Sequence, residues 1–284
     1  MAHVLTQEQI DFYRTNHYLL VKQVVPLEAI ELATGIMEKW VDRLVDGWYE
    51  QGLLTDKMAQ LDVTRRLVDT WQAAGKPRYI RSPRRDIVCR ETFDFLRHPR
   101  LVDVAADLLG SDEISVHGTF NSRPKLPDQK WTDTPWHQDA QYYREAEHKH
   151  VMSMWIPLQR VTERNSCLQV APGFFTDHLR DGHVDDESGF LGLSKEDAAQ
   201  LKGVSIEMEA GDALVFNQLL PHRALSNQSD AVRWSMDMRF ESTPDATESG
   251  KALGFVARSA ADPASVTTYE AWLAKWAHMP AGSY

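Results

Sequence analysis

The feature that most constrains the fold of this 284-residue chain is a change in hydrophobic period near Gly110. Before it, apolar residues such as Leu27, Ile30 and Met37 recur at the three- and four-residue spacing that predicts helices. After it, apolar and polar residues alternate, which predicts strands with two different faces. Helices followed by a run of strands favour an α+β chain with a mainly β core, in which the helices support a sandwich or barrel.

Local signals define where two of the predicted helices begin or end. Thr6 and Gln9 have the spacing of a capping box ahead of an apolar helical pattern, so a helix is expected to begin there. A short helix is expected over residues 101–109, ended by Gly110. The first third of the chain is therefore predicted to be mainly helical.

The clearest strand pattern is RWSMDMRF, which begins at Arg233. One predicted face carries the polar side chains Arg233, Ser235, Asp237 and Arg239. The other carries the apolar side chains Trp234, Met236, Met238 and Phe240. Similar strands are predicted in ISVHGTFNSR, VMSMWIPL and DALVFNQ, which begin at Ile114, Val151 and Asp212.

These patterns predict a single domain over residues 1–284. Residues 1–110 would be mainly helical support, 111–240 a β core, and 241–284 a C-terminal helical segment. A polar, Gly- and Asp-rich stretch near 176–203 is predicted to be an inserted loop with one short helix. The stretch YEAWLAKWAHMP is predicted to be a helix, packed either on the core or against a second subunit.

Composition excludes some partners. The formal net charge is −10, which argues against nucleic acid because a phosphate backbone requires a basic surface. No stretch approaches the roughly 20 apolar residues of a membrane helix, and no signal peptide is recognised. The only two cysteines, Cys89 and Cys167, favour a reducing compartment. We expect a soluble cytoplasmic protein, and the sequence does not decide between a monomer and a homo-oligomer.

A candidate metal motif lies in TPWHQDAQYY, where His137 and Asp139 are two residues apart. On a strand both side chains would project from the same face and could occupy adjacent positions on one metal ion. A third candidate is His222, which follows a distant apolar strand and Pro221. Two histidines and one carboxylate on one face of an octahedron are the arrangement of non-haem Fe(II) oxygenases.

The same spacing also arises by chance in a chain with 11 histidines. His183 and Asp185 repeat it within an acidic loop, and His148 and His150 form another close pair. Neither pair has further ligands at the spacing of a structural zinc site, so we interpret both as unrelated to a metal.

Arg233 lies eleven residues after His222, at the start of the polar face described above. An arginine that faces the inside of a barrel is costly unless it is paired, and a dicarboxylate is a natural bidentate partner. A solvent-exposed polar face explains the alternation equally well.

Several segments in order match a known family: LTQEQIDFYRTNHYLLVKQVV, TPWHQD, MWIPLQRVTERNSCLQVAPG, PHRALSN and Arg233. In these segments the chain resembles the phytanoyl-CoA dioxygenase family of Fe(II)- and 2-oxoglutarate-dependent oxygenases. The resemblance implies a double-stranded β-helix, of the jelly-roll or cupin type, supported by N-terminal and C-terminal helices. It also implies an enzyme that uses Fe(II), 2-oxoglutarate and O₂ to hydroxylate an unactivated C–H bond, releasing succinate and CO₂.

The resemblance assigns roles by position. His137, Asp139 and His222 would be the catalytic iron ligands. Arg233 would bind the distal carboxylate of 2-oxoglutarate, and Trp155 would line the cosubstrate pocket. The presence of Asp139 favours hydroxylation over halogenation, because halogenating relatives have a small residue there.

Thr119 or Asn121, on the polar face of an earlier strand, would also contact the cosubstrate. The chain departs from relatives that carry a hydroxyl residue two positions after the distal histidine, because Ala224 stands there. Ser235, on the same face as Arg233, is the candidate to make that hydrogen bond instead.

The substrate is less constrained by the sequence. We predict substrate contacts from Gln138, Tyr142, Tyr143 and Arg123. Further basic residues near these motifs are candidates for binding an anion: Lys125, Arg144 and the patch Arg78, Arg81, Arg84, Arg85 and Arg90. Trp131, Trp136 and the two tyrosines are candidates for an apolar pocket or for a cage around an alkylammonium group.

An anion site together with a cage would suit a small zwitterion such as an aminoalkylphosphonate. An acyl-CoA, an amino acid or a secondary metabolite is the alternative substrate. Two other classes stay open: a non-catalytic metal-binding β-helix protein and a zinc-dependent hydrolase. The hydrolase leaves Arg233 and Trp155 without a role.

Overall fold

The computed structural model describes residues 4–77, 84–143 and 149–277 of the chain. Its helices are α1 Gln7–Asn16, α2 Leu27–Glu50, α3 Val63–Ala73, α4 Arg90–Leu96, α5 Pro99–Leu109, α6 Lys195–Gln200, α7 Glu248–Leu253 and α8 Tyr269–Trp276. Two predicted helix ends are confirmed. Thr6 and Gln9 form a reciprocal capping box on α1, and Gly110 ends α5 in the left-handed conformation.

The strands are all paired antiparallel, in three sheets. They are β1 Tyr18–Val21, β2 Ile114–Val116, β3 Asn121–Ser122, β4 Thr134–His137, β5 Val151–Pro157, β6 Leu168–Val170, β7 Gly182–Val184, β8 Leu191–Leu193, β9 Val204–Ile206, β10 Ala213–Asn217, β11 His222–Ala224, β12 Ser235–Ser242 and β13 Phe255–Arg258. The larger sheet has the order β1-β10-β5-β12-β2-β13, with β3 also paired to β12. The smaller sheet has the order β4-β11-β6-β9.

Helices cover one face of the larger sheet, and the smaller sheet covers the other. The apolar face of β12, with Met236 and Phe240, and the preceding Trp234 are buried with the inner sides of α2, α4 and α5. A second apolar cluster joins Trp155 and Phe216 of the larger sheet to residues of β6 and β9. The alternation therefore predicted correctly which side of β12 packs under the helices, because each strand has one apolar and one polar face.

Three segments contain strands where the sequence predicted helix or loop. Strand β1, in the N-terminal region, pairs with β10 at the edge of the larger sheet. Strand β13, in the C-terminal region, pairs with β2. The predicted loop near 176–203 contains the short helix α6 and also a hairpin of β7 and β8. These strands have three or four residues each, too few for a two-residue period to be recognised in the sequence.

Helix α8 covers YEAWLAKW of the predicted helix YEAWLAKWAHMP, whose last three residues lie outside the described ranges. Trp272 and Trp276 are buried, and their rings contact Phe93 and Phe120 of the same chain. The apolar face of α8 is therefore packed within the chain itself. No helix in the described ranges is long and apolar enough to cross a membrane.

Candidate metal and cosubstrate site

His137 and His222 face each other on neighbouring strands of the smaller sheet. They are directly paired in the register of β4 and β11, and their ring centroids are 4.1 Å apart. Strand β4 ends at His137, and Asp139 begins a single 3-10 turn, Asp139–Gln141. The prediction that both residues project from one strand is therefore wrong. The turn nevertheless places Asp139 Oδ1 3.7 Å from Nε2 of each histidine.

Backbone carbonyls orient both imidazoles. Nδ1 of His137 lies 2.9 Å from the carbonyl oxygen of Pro135, and Nδ1 of His222 lies 3.0 Å from that of Leu220. Because a carbonyl only accepts, each Nδ1 carries a proton, and Nε2 is the ring nitrogen that lies toward Asp139. Burial, together with the neighbouring His137, lowers the pKa of His222 to about 3, so its imidazole is neutral at neutral pH.

Asp139 is a buried carboxylate whose two oxygens have different surroundings. Oδ2 accepts hydrogen bonds from the Ser153 hydroxyl and from Arg239, through Nε at 3.2 Å and Nη2 at 2.9 Å. Oδ1 faces the two imidazoles instead. Burial acts to raise the pKa of Asp139, but the buried guanidinium of Arg239 outweighs it and holds that pKa well below its usual range.

These three side chains fit a divalent metal of the Fe(II) type. One ligand atom from each of His137, Asp139 and His222 lies within 4.8 Å of the others. Two imidazoles and one carboxylate are a suitable donor set for non-haem iron. Within residues 4–77, 84–143 and 149–277, this is the only cluster of three such side chains close enough to share one ion.

The other histidine candidates are placed differently. His183 is exposed on the β7–β8 hairpin, away from any third ligand in the described ranges. His150 is hydrogen-bonded to the hydroxyl of Tyr13, and His148 lies outside the described residues.

His137, Asp139 and His222 line a cavity of about 1130 Å³ that lies between the two larger sheets. The polar face of β12 forms part of its wall, through Arg233, Ser235, Asp237 and Arg239. The sequence left open whether this face lies inside or in solvent, and the structure places it inside.

Arg233 is buried, with 4% of its surface exposed. Its Nε donates to the carbonyl of Ser166 at 3.1 Å, Nη1 donates to the Ser235 hydroxyl at 2.7 Å, and the guanidinium lies 5.2 Å from the Trp155 ring centroid. Burial lowers the pKa of Arg233 to about 10, so the side chain stays charged at neutral pH. No carboxylate of the described residues forms an ion pair with it, which leaves its charge available to a bound anion.

The other predicted cosubstrate residues also line the cavity. Thr119 and Asn121 face it, and Asn121 accepts from Arg84 and donates to Asp237 at 2.9 Å. Ala224 faces the cavity without a hydroxyl, whereas Ser235 contacts Arg233 directly. Ser235 therefore lies where the sequence suggested a substitute hydroxyl.

Of the predicted substrate residues, Tyr142, Tyr143 and Arg123 line the cavity. Gln138 does not. Its side chain donates to the carbonyl of Leu219 at 2.8 Å and accepts from the backbone N–H of Arg180, so it holds loops together rather than facing a ligand. Gln138 follows the last residue of β4, and its side chain points away from the cavity because His137 points into it.

The aromatic and basic candidates separate in the same way. Trp131 lines the cavity, but Trp136 packs on the opposite side of β4 under the guanidinium of Arg223.

In the basic patch Arg84 faces the cavity, and Arg90 pairs with Glu270 at the surface. Arg78, Arg81 and Arg144 lie outside the described residues. Lys125 also faces the cavity and pairs with Asp133 at 2.6 Å.

Sequence reasoning missed the residues that support Asp139. Arg239 lies 100 residues away in sequence, and Ser153 lies on β5, directly opposite Arg239. The alternation had placed Arg239 on the polar face, but nothing local indicated its partner. The available signal was that Arg239 shares the polar face with Arg233, because an arginine that faces the inside of the protein needs a partner.

The β7–β8 hairpin lies over the cavity mouth. Lys130 pairs with Glu187 at 3.1 Å, and the hydroxyl of Tyr142 accepts from the backbone N–H of Leu191 at 3.2 Å. The guanidinium of Arg123 lies 4.7 Å from the ring centroid of Phe190. The inserted segment thus contributes a wall of the cavity.

Comparison with known proteins supports this description. The family model for phytanoyl-CoA dioxygenase matches residues 13–235. A probable phytanoyl-CoA dioxygenase of Caenorhabditis elegans is 23% identical over 249 residues, which cover 84% of this chain and 75% of the relative. A 2-aminoethylphosphonate dioxygenase of uncultured bacterium HF130_AEPn_1 is 26% identical over 201 residues, covering 66% and 73%.

Solved structures show a similar fold. The non-heme monooxygenase ThoJ has a TM-score of 0.63 at 17% identity, over 91% of this chain and 86% of that protein. EvdO2 from Micromonospora carbonacea var. aurantiaca, complexed with 2-oxoglutarate, has a TM-score of 0.56 at 20% identity, over 86% and 93%.

Proposed function

The chain belongs to the phytanoyl-CoA dioxygenase family and is an Fe(II)- and 2-oxoglutarate-dependent dioxygenase, and we propose that it hydroxylates an unactivated C–H bond of a small molecule. Succinate and CO₂ would be the products from the cosubstrate. One observation carries the proposal: His137, Asp139 and His222 line the same cavity as Arg233, which has no carboxylate partner in the described part of the chain. A zinc hydrolase would give no task to Arg233 or to Trp155 beside it.

We propose that His137, Asp139 and His222 hold the iron. The two carbonyl contacts fix Nε2 of each imidazole toward the ion, and Arg239 with Ser153 occupies Oδ2 so that Oδ1 faces it. Iron bound here with 2-oxoglutarate and O₂ supplies the oxidation of the C–H bond. The protein residues supply ligation, orientation and a cavity large enough to hold the cosubstrate and a small substrate.

Arg233 would bind the distal carboxylate of 2-oxoglutarate, with Trp155 packed against its guanidinium. Ser235 holds Nη1 of Arg233 and would take the role of the hydroxyl missing at Ala224. Thr119 and Asn121 would contact the cosubstrate or the substrate from the neighbouring strand.

We also propose that the two larger sheets form a double-stranded β-helix within one domain. Their facing apolar clusters, and the likeness to solved non-haem oxygenases, support this. A cytoplasmic location is likewise proposed, supported by two cysteines that form no disulfide, Cys89 and Cys167.

For the substrate, we propose a small anionic or zwitterionic molecule such as an aminoalkylphosphonate. Arg123 in the cavity and the similarity to a 2-aminoethylphosphonate dioxygenase support this class. An acyl-CoA is the second candidate, because relatives described as phytanoyl-CoA dioxygenases match a larger share of the chain. Amino acids and secondary metabolites complete the set to be tested.

The experiment is an anaerobic titration followed by exposure to air. Adding Fe(II) and then 2-oxoglutarate should give the weak visible charge-transfer band of the iron chelate. Air should then release succinate above the uncoupled background with one member of a panel of phosphonates, acyl-CoAs and amino acids. Iron binding without the band would indicate a metal-binding protein without turnover, and activity restored only by Zn²⁺ would indicate a hydrolase.

A further prediction concerns Arg239. Replacing it by methionine should lower Fe(II) affinity by about 10- to 100-fold, as is typical when a partner that orients a metal ligand is lost. Asp139 would keep only Ser153 on Oδ2 and would no longer be held with Oδ1 toward the histidines. Equilibrium binding of Fe(II) or Mn(II) to the purified variant measures the effect.

Arg239→Lys should recover part of that affinity, since one charged donor remains. Arg258→Met, which breaks an ion pair with Asp103 outside the cavity, is the matched control and should bind iron normally. An Arg239→Met protein with unchanged metal affinity and only a lower melting temperature would show that Arg239 merely stabilises the fold.

A further inference from the structure

Arg123 lies in the wall of the cavity and has no ion-pair partner among the described residues. Among the cavity-lining cations of residues 4–77, 84–143 and 149–277, Lys125 pairs with Asp133, Arg239 pairs with two carboxylates, and Arg84 is bound to Asn121. Arg233 donates hydrogen bonds to Ser166 and Ser235, and in the proposed function it binds 2-oxoglutarate. Within the described ranges Arg123 contacts the ring of Phe190 and has no acceptor for its N–H groups, which line the cavity.

Asp237 offers the opposite charge in the same cavity. Its Oδ1 accepts from Asn121 and pairs with Nη1 of Arg239, which fixes the carboxylate in position. In the described part of the chain Oδ2 has no hydrogen-bond partner, and the side chain keeps 17% of its surface exposed. Because the residue lines the cavity, this oxygen can accept a hydrogen bond from a ligand.

Strand register places the two residues close together. β3 pairs Ser122 with Met236, and a further bridge pairs Lys125 with Arg233 in the same register. Arg123 therefore lies opposite Ser235 and diagonal to Asp237, with Cα atoms roughly 7–8 Å apart. They nevertheless form no ion pair, because the guanidinium of Arg123 turns toward Phe190 at the mouth. The space between them suits a short molecule.

We infer that Arg123 and Asp237 are the two poles of the substrate site, and that the substrate carries an anionic group at one end and an ammonium group at the other. This inference rests on the proposed function. Arg123 would bind a phosphonate, phosphate or carboxylate near the mouth. Asp237 would accept from the ammonium group beside Arg239, close to the metal site.

The inference is tested with probes that carry both charges or only one. ω-Aminoalkylphosphonates of two to six carbons are compared with alkylphosphonates and alkylamines of equal length. Binding to the anaerobic Fe(II)- and 2-oxoglutarate-loaded protein is measured by calorimetry and by the shift of the visible band. At least one two-charge probe should bind about 10- to 100-fold more tightly than either one-charge analogue, the range for a charged hydrogen bond.

Variants then test which charged end of the probe each residue binds. Arg123→Gln should weaken the two-charge probe and the alkylphosphonate by about 10-fold or more while leaving alkylamine binding unchanged. Asp237→Asn should weaken the two-charge probe and the alkylamine instead. Arg160→Gln and Asp230→Asn change the same charges at exposed ion pairs outside the cavity and serve as matched controls.

Different failures are distinguishable. If the visible band never forms, the proposed function fails and the inference fails with it. If the band forms but no two-charge probe binds more tightly than its one-charge analogues, only the inference is overturned. If Arg123→Gln weakens 2-oxoglutarate rather than the probes, Arg123 belongs to the cosubstrate site and the inference is overturned as well.

Discussion

The His137→Ala variant is expected to lose the visible band of the Fe(II) and 2-oxoglutarate complex and to bind Fe(II) more than about 100-fold more weakly. Changes to residues that only orient a metal ligand already cost about 10- to 100-fold, so loss of a ligand costs more. His137 lies directly opposite His222, so its removal leaves one imidazole and one carboxylate. Anaerobic absorbance and equilibrium metal binding measure both quantities.

The chain contains its own control for this experiment. His183 and Asp185 repeat the His-x-Asp spacing, but His183 is exposed on the β7–β8 hairpin. His183→Ala should keep both the band and the iron affinity. A band that persists in His137→Ala, or disappears in His183→Ala, would contradict the assignment of the ligands.

Arg233→Met is expected to weaken 2-oxoglutarate binding by about 2–5 kcal/mol, the range for removing one partner of a buried charge pair. This corresponds to roughly 30-fold to several thousand-fold in affinity. The effect should be large because Arg233 is buried and has no carboxylate of its own in the described ranges, so the cosubstrate would be its counter-charge. The 2-oxoglutarate concentration that gives half of the visible band measures it.

Metal binding should separate this defect from a general loss of the site. Arg233→Met should still bind Fe(II), because Arg233 contacts Ser166, Ser235 and Trp155 and none of the three proposed ligands. Arg233→Lys should be intermediate, since it keeps the charge but loses the planar fork. Arg160→Met, at an exposed ion pair, should bind 2-oxoglutarate normally. Normal 2-oxoglutarate binding in Arg233→Met would refute the role of Arg233.

The sequence predicted correctly those features that depend on neighbouring residues. The capping box of Thr6 and Gln9 and the end of α5 at Gly110 are formed within a few residues, so their residue types were sufficient. The two faces of β12 follow from a two-residue period. The motif and spacing made His137, Asp139 and His222 candidates, the resemblance to a family assigned them as iron ligands, and the structure brings them together.

Prediction was weaker where a short segment depends on a distant partner. Strands β1 and β13 have four residues each, and their strand conformation depends on pairing with β10 and β2. Gln138 was predicted to contact substrate, but the chain turns after His137 and the Gln138 side chain binds loop backbone instead.

By itself, the sequence determined the order of most helices and strands and the candidate ligands His137, Asp139 and His222. It also showed that one face of β12 is polar, but it left open whether that face lies inside the protein or in solvent. Only the tertiary structure decided that this polar face lines a cavity, that Arg239 holds Asp139 across 100 residues, and that Arg123 lies diagonal to Asp237. The physical reason is that side-chain alternation is a local property of a strand, whereas hydrogen-bond partners across a sheet are set by register between segments far apart in the chain.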